Sequence, residues 1–268
     1  MSGQSIPYWH VDAFASRTFG GNQAAVMLLK QWLPDAVLQS IAAENMFAET
    51  AFILADGSDE ADYELRWFTP ELEVVLCGHA TLASGHVILS RDASRDLVSF
   101  RTRKAGVLEV RRAASGYELA LPAIEVSGET DPDLLRGLDP APAESLHDPR
   151  GYVIGLYPDE AAVRSLAPEM ELLARHGDTM FICTAPGEAT DIVSRVFVPG
   201  AGIPEDSVTG SAHAALTVFW ADRLGRNKFT AHQASARGGD ITCRLDSDRA
   251  ILGGECVSVV EGNFYLTG

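Results

Sequence analysis

The stretch VVLCGHATLASGHVIL, residues 74–89, passes from an apolar run through a cysteine, a glycine and a histidine into a second apolar run. Its first residues read as the end of a strand. The run from Gly78 reads as a helix that is apolar on most sides, and such a helix belongs inside a sheet, not on a surface. Further along, GSAHAALTVFW at 210–220 has the same form and again opens on a glycine.

Working outward from these two helices, the chain repeats itself. AETAFIL at 48–54 and DYELRWFTP at 62–70 precede the first; DTMFICT at 178–184 and DIVSRVFVP at 191–199 precede the second. Phe52 and Phe181 are 129 positions apart (181 − 52), as are Arg66 and Arg195 (195 − 66), whereas Gly78 and Gly210 are 132 apart (210 − 78). Three residues are therefore inserted in the second copy, inside GAGIPEDSVTG. A long period with two copies predicts two lobes of one architecture, not a solenoid. After each helix, GVLEVRRAASGYELALP (106–122) and GDITCRLDSDRAILGG (239–254) read as alternating strands joined by a polar turn. Two more helices are expected, at DAVLQSIAAENM (35–46) and PEMELLARHG (168–177). The expected fold class is α+β, with an N-terminal lobe over 1–120, a C-terminal lobe over 121–268, and terminal strands free to cross between them.

With 37 acidic against 21 basic residues the formal charge is −16, so nucleic acid and anionic membranes are poor partners. The four cysteines, Cys77, Cys183, Cys243 and Cys256, have no C-x-x-C spacing, and no apolar run reaches the ~18 residues of a membrane span. No amino-terminal signal pattern precedes the first strand, so a reducing, cytoplasmic setting is expected. G-x-x-x-x-G-K, G-x-G-x-x-G and G-x-S-x-G are absent, which removes support for nucleotide, dinucleotide and serine-hydrolase readings.

Chemistry is expected at the two glycine-led helix starts. Backbone N–H groups there lack intrahelical partners and attract anions. If a pseudo-twofold relates the lobes, both helix ends face one cleft, and a small carboxylate is the natural guest.

Four blocks carry a family resemblance: DAFASRTFGGNQAAVML (12–28), AENMFAETAFIL (43–54), RWFTPELEVVLCGHATLA (66–83) and GIPEDSVTGSAHAAL (202–216). Together they resemble the signature blocks of the PhzF-like (phenazine biosynthesis-like) isomerases. The resemblance implies a diaminopimelate-epimerase-like fold, each lobe a barrel-like sheet around a central helix, assembled as a homodimer and working without a cofactor. It also implies Glu49 as the proton-shuttling base, with His79 and Asp206 completing the catalytic set. Asn22, Gly78, Gly210 and Ser211 fall on substrate-binding positions, and Cys77 and Thr209, each just before a helix, are placed with them. One departure stands out: the first block commonly reads Gly-Asn-Pro, where this chain has Gly21-Asn22-Gln23, and loss of proline is expected to loosen the turn.

Each residue also has a plainer reading. Glu49 taken alone is a solvated strand end, and Asp178, at the same 129 offset, is read as a relic of the duplication. His79 at a helix start is expected to be neutral, because that end disfavours imidazolium. His213 is read as a packing or supporting residue, and Arg66 and Arg195 as structural ion-pair partners. Cys77, His79 and His86 lack metal-site spacing, so no metal is expected. Because Thr209 stands where a second thiol would be needed, two-thiol epimerisation is disfavoured. A cysteine-dependent epimerase or dehydratase and a non-catalytic binding module remain as alternatives.

Overall fold

A computed structural model describes residues 4–267. Two compact units result: one runs to Ala120 and takes back the chain from Gly253 onward, and the other is Leu121–Leu252. The first contains β1 (Gln4–Ala13), β2 (Asn22–Leu29), α1 (Asp35–Asn45), β3 (Glu49–Ala55), β4 (Tyr63–Phe68), β5 (Glu73–Val74), α2 (Gly78–Arg91), β6 (Leu97–Thr102), β7 (Val107–Arg112) and, as far as Ala120, β8 (Tyr117–Pro122). β2 and β3 are parallel, as are β4 and β6, while β1–β2, β3–β4, β4–β5, β6–β7 and β7–β8 are antiparallel.

The second unit continues with β9 (Gly128–Glu129), β10 (Glu144–Asp148), β11 (Tyr152–Leu156), α3 (Glu160–Ser165), α4 (Met170–Leu173), β12 (Met180–Pro186), β13 (Ile192–Val198), β14 (Ile203–Asp206), α5 (Gly210–Leu224), β15 (Lys228–Gln233), β16 (Gly239–Asp246) and β17 (Arg249–Gly254). Its pairings repeat the first unit step for step: β10–β11 antiparallel, β11–β12 parallel, β12–β13 and β13–β14 antiparallel, β13–β15 parallel, β15–β16 antiparallel. The final strand, β18 (Cys256–Leu266), lies antiparallel along β1 and so belongs to the first unit. Ten register partners between β1 and β18, Gln4↔Leu266 to Ala13↔Cys256, bind the chain's end back to its beginning, a crossing of the terminal strand that the reading of the lobes left open.

The duplication extends to side chains. Arg66, only 3% exposed, holds Glu73 through two hydrogen bonds of 2.7 and 2.8 Å and lies over the Phe68 ring. Arg195 holds Glu205 through bonds of 2.8 and 3.0 Å and lies over Phe197. The arginines are 129 apart and the glutamates 132 (205 − 73), so the same ion pair spans the three-residue insertion. Arg66 also reaches Asp35 at 2.9 Å, whereas Arg195 donates to the carbonyls at the end of α3, Leu166 O at 2.7 Å being the shortest.

Both helices that open on glycine are central and buried. Their polar side chains turn back on the helix: Thr81 Oγ1 donates to Cys77 O, Ser84 Oγ to Ala80 O and Thr217 Oγ1 to His213 O. Gly85 has a separate reason to be glycine. A Cβ there would stand 2.3 Å from Val110 Cγ1 on β7, so the close approach of helix and strand requires its absence.

α1 packs Leu38, Ile41 and Ala42 over Phe52 and Phe68, and in the other unit Val163 and Leu173 pack over Phe181 and Phe197. The expected helix over 168–177 is shorter than read. α4 gives way to a 3₁₀ turn over Ala174–His176 that ends at Gly177 with a positive φ of 61°. α3, started by the Asp159 carboxylate accepting from Ala162 N–H, was missing from the sequence reading because six residues show too little periodicity. Among the described residues no helix is long and apolar enough to cross a membrane.

Candidate active site

In the first unit a tight turn precedes β2. Gly21 has φ +61°, and a Cβ on it would stand 2.1 Å from Ala13 O. That turn presents Asn22 at the start of β2, and the parallel pairing of β2 with β3 sets Glu49, the first residue of β3, opposite Ala24. Cys77 precedes α2 in an extended conformation, and His79 lies in the first turn of the helix.

These elements bring Asn22, Glu49, Cys77, Gly78 and His79 together around one imidazole. On one side, Asn22 Nδ2 is 3.3 Å and Cys77 Sγ 3.5 Å from His79 Nδ1. On the other, Glu49 Oε2 is 3.1 Å from His79 Nε2. Distance alone joins that pair: both atoms are buried, and neither completes a hydrogen bond of good geometry among the described residues. Buried polar atoms left so are costly, and a site built to receive a ligand is one place where they occur.

Burial opposes charge on His79, but the neighbouring Cys77 sulfur and Glu49 carboxylate outweigh it and hold the imidazole well above its ordinary value of 6.5. This direction runs against the expectation of a neutral His79; its causes are the Cys77 sulfur and the Glu49 carboxylate 3.1 Å away. Burial, with the Glu49 charge, pushes the Cys77 thiol up to about 11. The donor atoms of Glu49, Cys77 and His79 lie within 4.8 Å of one another, and their types would suit a divalent cation. As placed, however, thiol and carboxylate address opposite ring nitrogens, so a shared ion would require the ring to turn.

In the second unit Thr209 takes the place of Cys77 and both its donors are engaged. Its N–H donates to Gln233 Oε1 at 2.8 Å, and its hydroxyl donates to Asp206 Oδ2 at 2.6 Å. Gln233 Nε2 donates to Asp206 O at 2.7 Å. Gln233 is fully buried and was missed in the sequence. Its signal was a polar residue on the inward face of β15, in step with Phe229 and Ala231.

Ser211, the counterpart of His79 at an offset of 132 (211 − 79), has its hydroxyl 4.0 Å from Met180 Sδ. His213 is buried between Thr209 O at 2.9 Å and Ser194 Oγ at 3.4 Å, and burial lowers it to about 4. It is a neutral packing residue. Asp178 is exposed, and His86, outside the cluster, bonds Tyr117 and Ser258.

The fold is of the diaminopimelate-epimerase type, and the chain is an isomerase-type enzyme. The family model for phenazine biosynthesis-like proteins matches residues 11–262, and the chain belongs to that family. A Pseudomonas aeruginosa protein called an uncharacterized isomerase is 41% identical over 266 residues, covering 98% of this chain and 99% of its own. The crystal structure of a PhzF-family protein from Enterococcus faecalis matches with a TM-score of 0.90 at 38% identity, over 98% of this chain and 100% of that one. A hydroxyproline epimerase from Agrobacterium vitis, 11% identical with a TM-score of 0.60 over 98% and 93% of the two chains, shares the fold.

Proposed function

We propose that the protein is a cofactor-independent isomerase that moves a proton between two carbons of a small unsaturated carboxylate, shifting the double bond. The observation that carries this reading is the buried Glu49–His79 pair, 3.1 Å apart, with neither atom committed to a well-formed hydrogen bond. The Glu49 carboxylate takes a carbon-bound proton. The electrons of that C–H bond pass into an enolate-like system, and the double bond reforms as the proton is returned at the other carbon. His79 stays beside Glu49, 3.1 Å away, as its partner during the transfer.

Asp206 is assigned to the catalytic set, held by Thr209. Asn22, Gly78, Gly210 and Ser211 are assigned to gripping the substrate, with Cys77 and Thr209 shaping the two helix starts. In this reading the backbone N–H end of α2 stabilises carboxylate and enolate charge. A cytoplasmic homodimer is part of the same proposal.

The test is solvent-deuterium incorporation. A panel of small unsaturated carboxylates is incubated in D₂O with wild type and with Glu49→Gln, and exchange is read by mass spectrometry. The amide keeps the shape and loses the basicity, so exchange should fall by about 10²–10⁴. A variant that exchanges as fast as wild type would show that Glu49 is not the base and remove this assignment of roles.

A further inference from the structure

The segment that carries Glu49 to His79 is held from behind by a cluster that none of these roles uses. α1 ends at Met46, which is left-handed (φ 54°) and 75% exposed. The next residue turns inward: the Phe47 ring lies on His10 of β1, with centroids 4.4 Å apart and 32° between planes. His10 Nε2 is in turn 3.1 Å from the Gln23 amide nitrogen and 3.6 Å from the buried Asp12 carboxylate, which also accepts from Phe19 N–H. Strand register makes this cluster relevant to the site. Asp12 stands opposite Gln23, and the next residue, Ala24, stands opposite Glu49. On the far side, Asn45 Nδ2 donates to Thr50 Oγ1 at 3.0 Å.

We propose that His10 and Gln23 are positioning residues: by seating Phe47 they keep the Glu49 carboxylate on the Nε2 side of the His79 ring. This rests on the Glu49–His79 reading above. Glu49 begins its strand and makes no well-formed side-chain hydrogen bond at Oε2, so its direction is inherited from the backbone of residues 46–48. That backbone leaves a helix through an exposed left-handed residue, and the Phe47 stack supplies the anchor such a segment needs.

The experiment is an NMR titration of the His79 ring protons in the whole protein, without substrate. The ionisable groups facing this ring are Glu49 from β3 and Cys77 from the start of α2, with uncharged Asn22 from β2. Wild type should titrate above 6.5, and Glu49→Gln marks the fall when the carboxylate is lost. Gln23→Ala and His10→Ala should shift the midpoint down toward the Glu49→Gln value by about one unit. His10→Phe, which keeps a ring on Phe47 and loses the bond to Gln23, should fall between His10→Ala and wild type. Gln23→Ala removes a single part-buried hydrogen bond and decides the matter if His10→Ala does not fold. Tether variants that titrate like wild type while Glu49→Gln shifts would overturn the positioning role and leave the Glu49–His79 pair standing. A wild-type midpoint at or below 6.5, unmoved by Glu49→Gln, would overturn both.

Discussion

Glu49 and Cys77 address different nitrogens of one imidazole, and this separates the two chemistries that the residues at the start of α2 suggest. A thiol raised to about 11 is about one part in 10⁴ thiolate at pH 7, too little to serve as the resting base. Cys77→Ala should therefore leave deuterium exchange within about tenfold of wild type, against the roughly 10²–10⁴ expected for loss of the base. Alkylation of Cys77 by iodoacetamide at pH 7, followed by peptide mapping, should be slow in the folded protein and fast after unfolding. Rapid labelling of the folded protein with parallel loss of exchange would restore the cysteine-dependent alternative.

At the scale of elements, α2 lies close to the sheet because Gly85 leaves room for Val110. Gly85→Ala would place a methyl within 2.3 Å of that side chain, and overpacking of this kind typically destabilises by about 1–3 kcal/mol. Urea unfolding should show the loss, and Val110→Ala in the same chain should recover part of it. If Gly85→Ala were neutral, helix and strand would have more slack than the 2.3 Å approach allows. The ion pairs Arg66–Glu73 and Arg195–Glu205 belong to the same scale. Each clasps the strand that precedes the central helix to the strand before it, so the turn into Gly78 or Gly210 starts from a fixed point.

For the whole molecule, the return of the last strand is the long-range contact with the largest reach in sequence. β18 supplies β1 with one of its two neighbours, β2 being the other. β1 carries His10 and Asp12, and β2 carries Asn22, so removing the chain after Gly254 should disturb the Glu49–His79 cluster far from the cut. The truncated protein should lose cooperative unfolding of the first unit while Leu121–Leu252 keeps its amide-exchange protection. Unchanged protection in both units would show that β18 is dispensable.

Chain order by itself determined the duplication, the two buried helices opening on glycine, the α+β class and the family. Offsets of 129 and 132, helical and alternating periodicity, and contiguous signature blocks are local properties that survive without coordinates. Glu49, His79 and Asn22 were legible for the same reason, each lying in such a block. Only the tertiary structure decided which ring nitrogen each neighbour faces, that Gln233 occupies the Thr209 N–H, that Phe47 seats on His10, and that residues 256–266 belong with the first unit. These depend on contacts between residues distant in the chain. A one-residue change of register or a rotation of one imidazole would alter them without altering any pattern in the sequence.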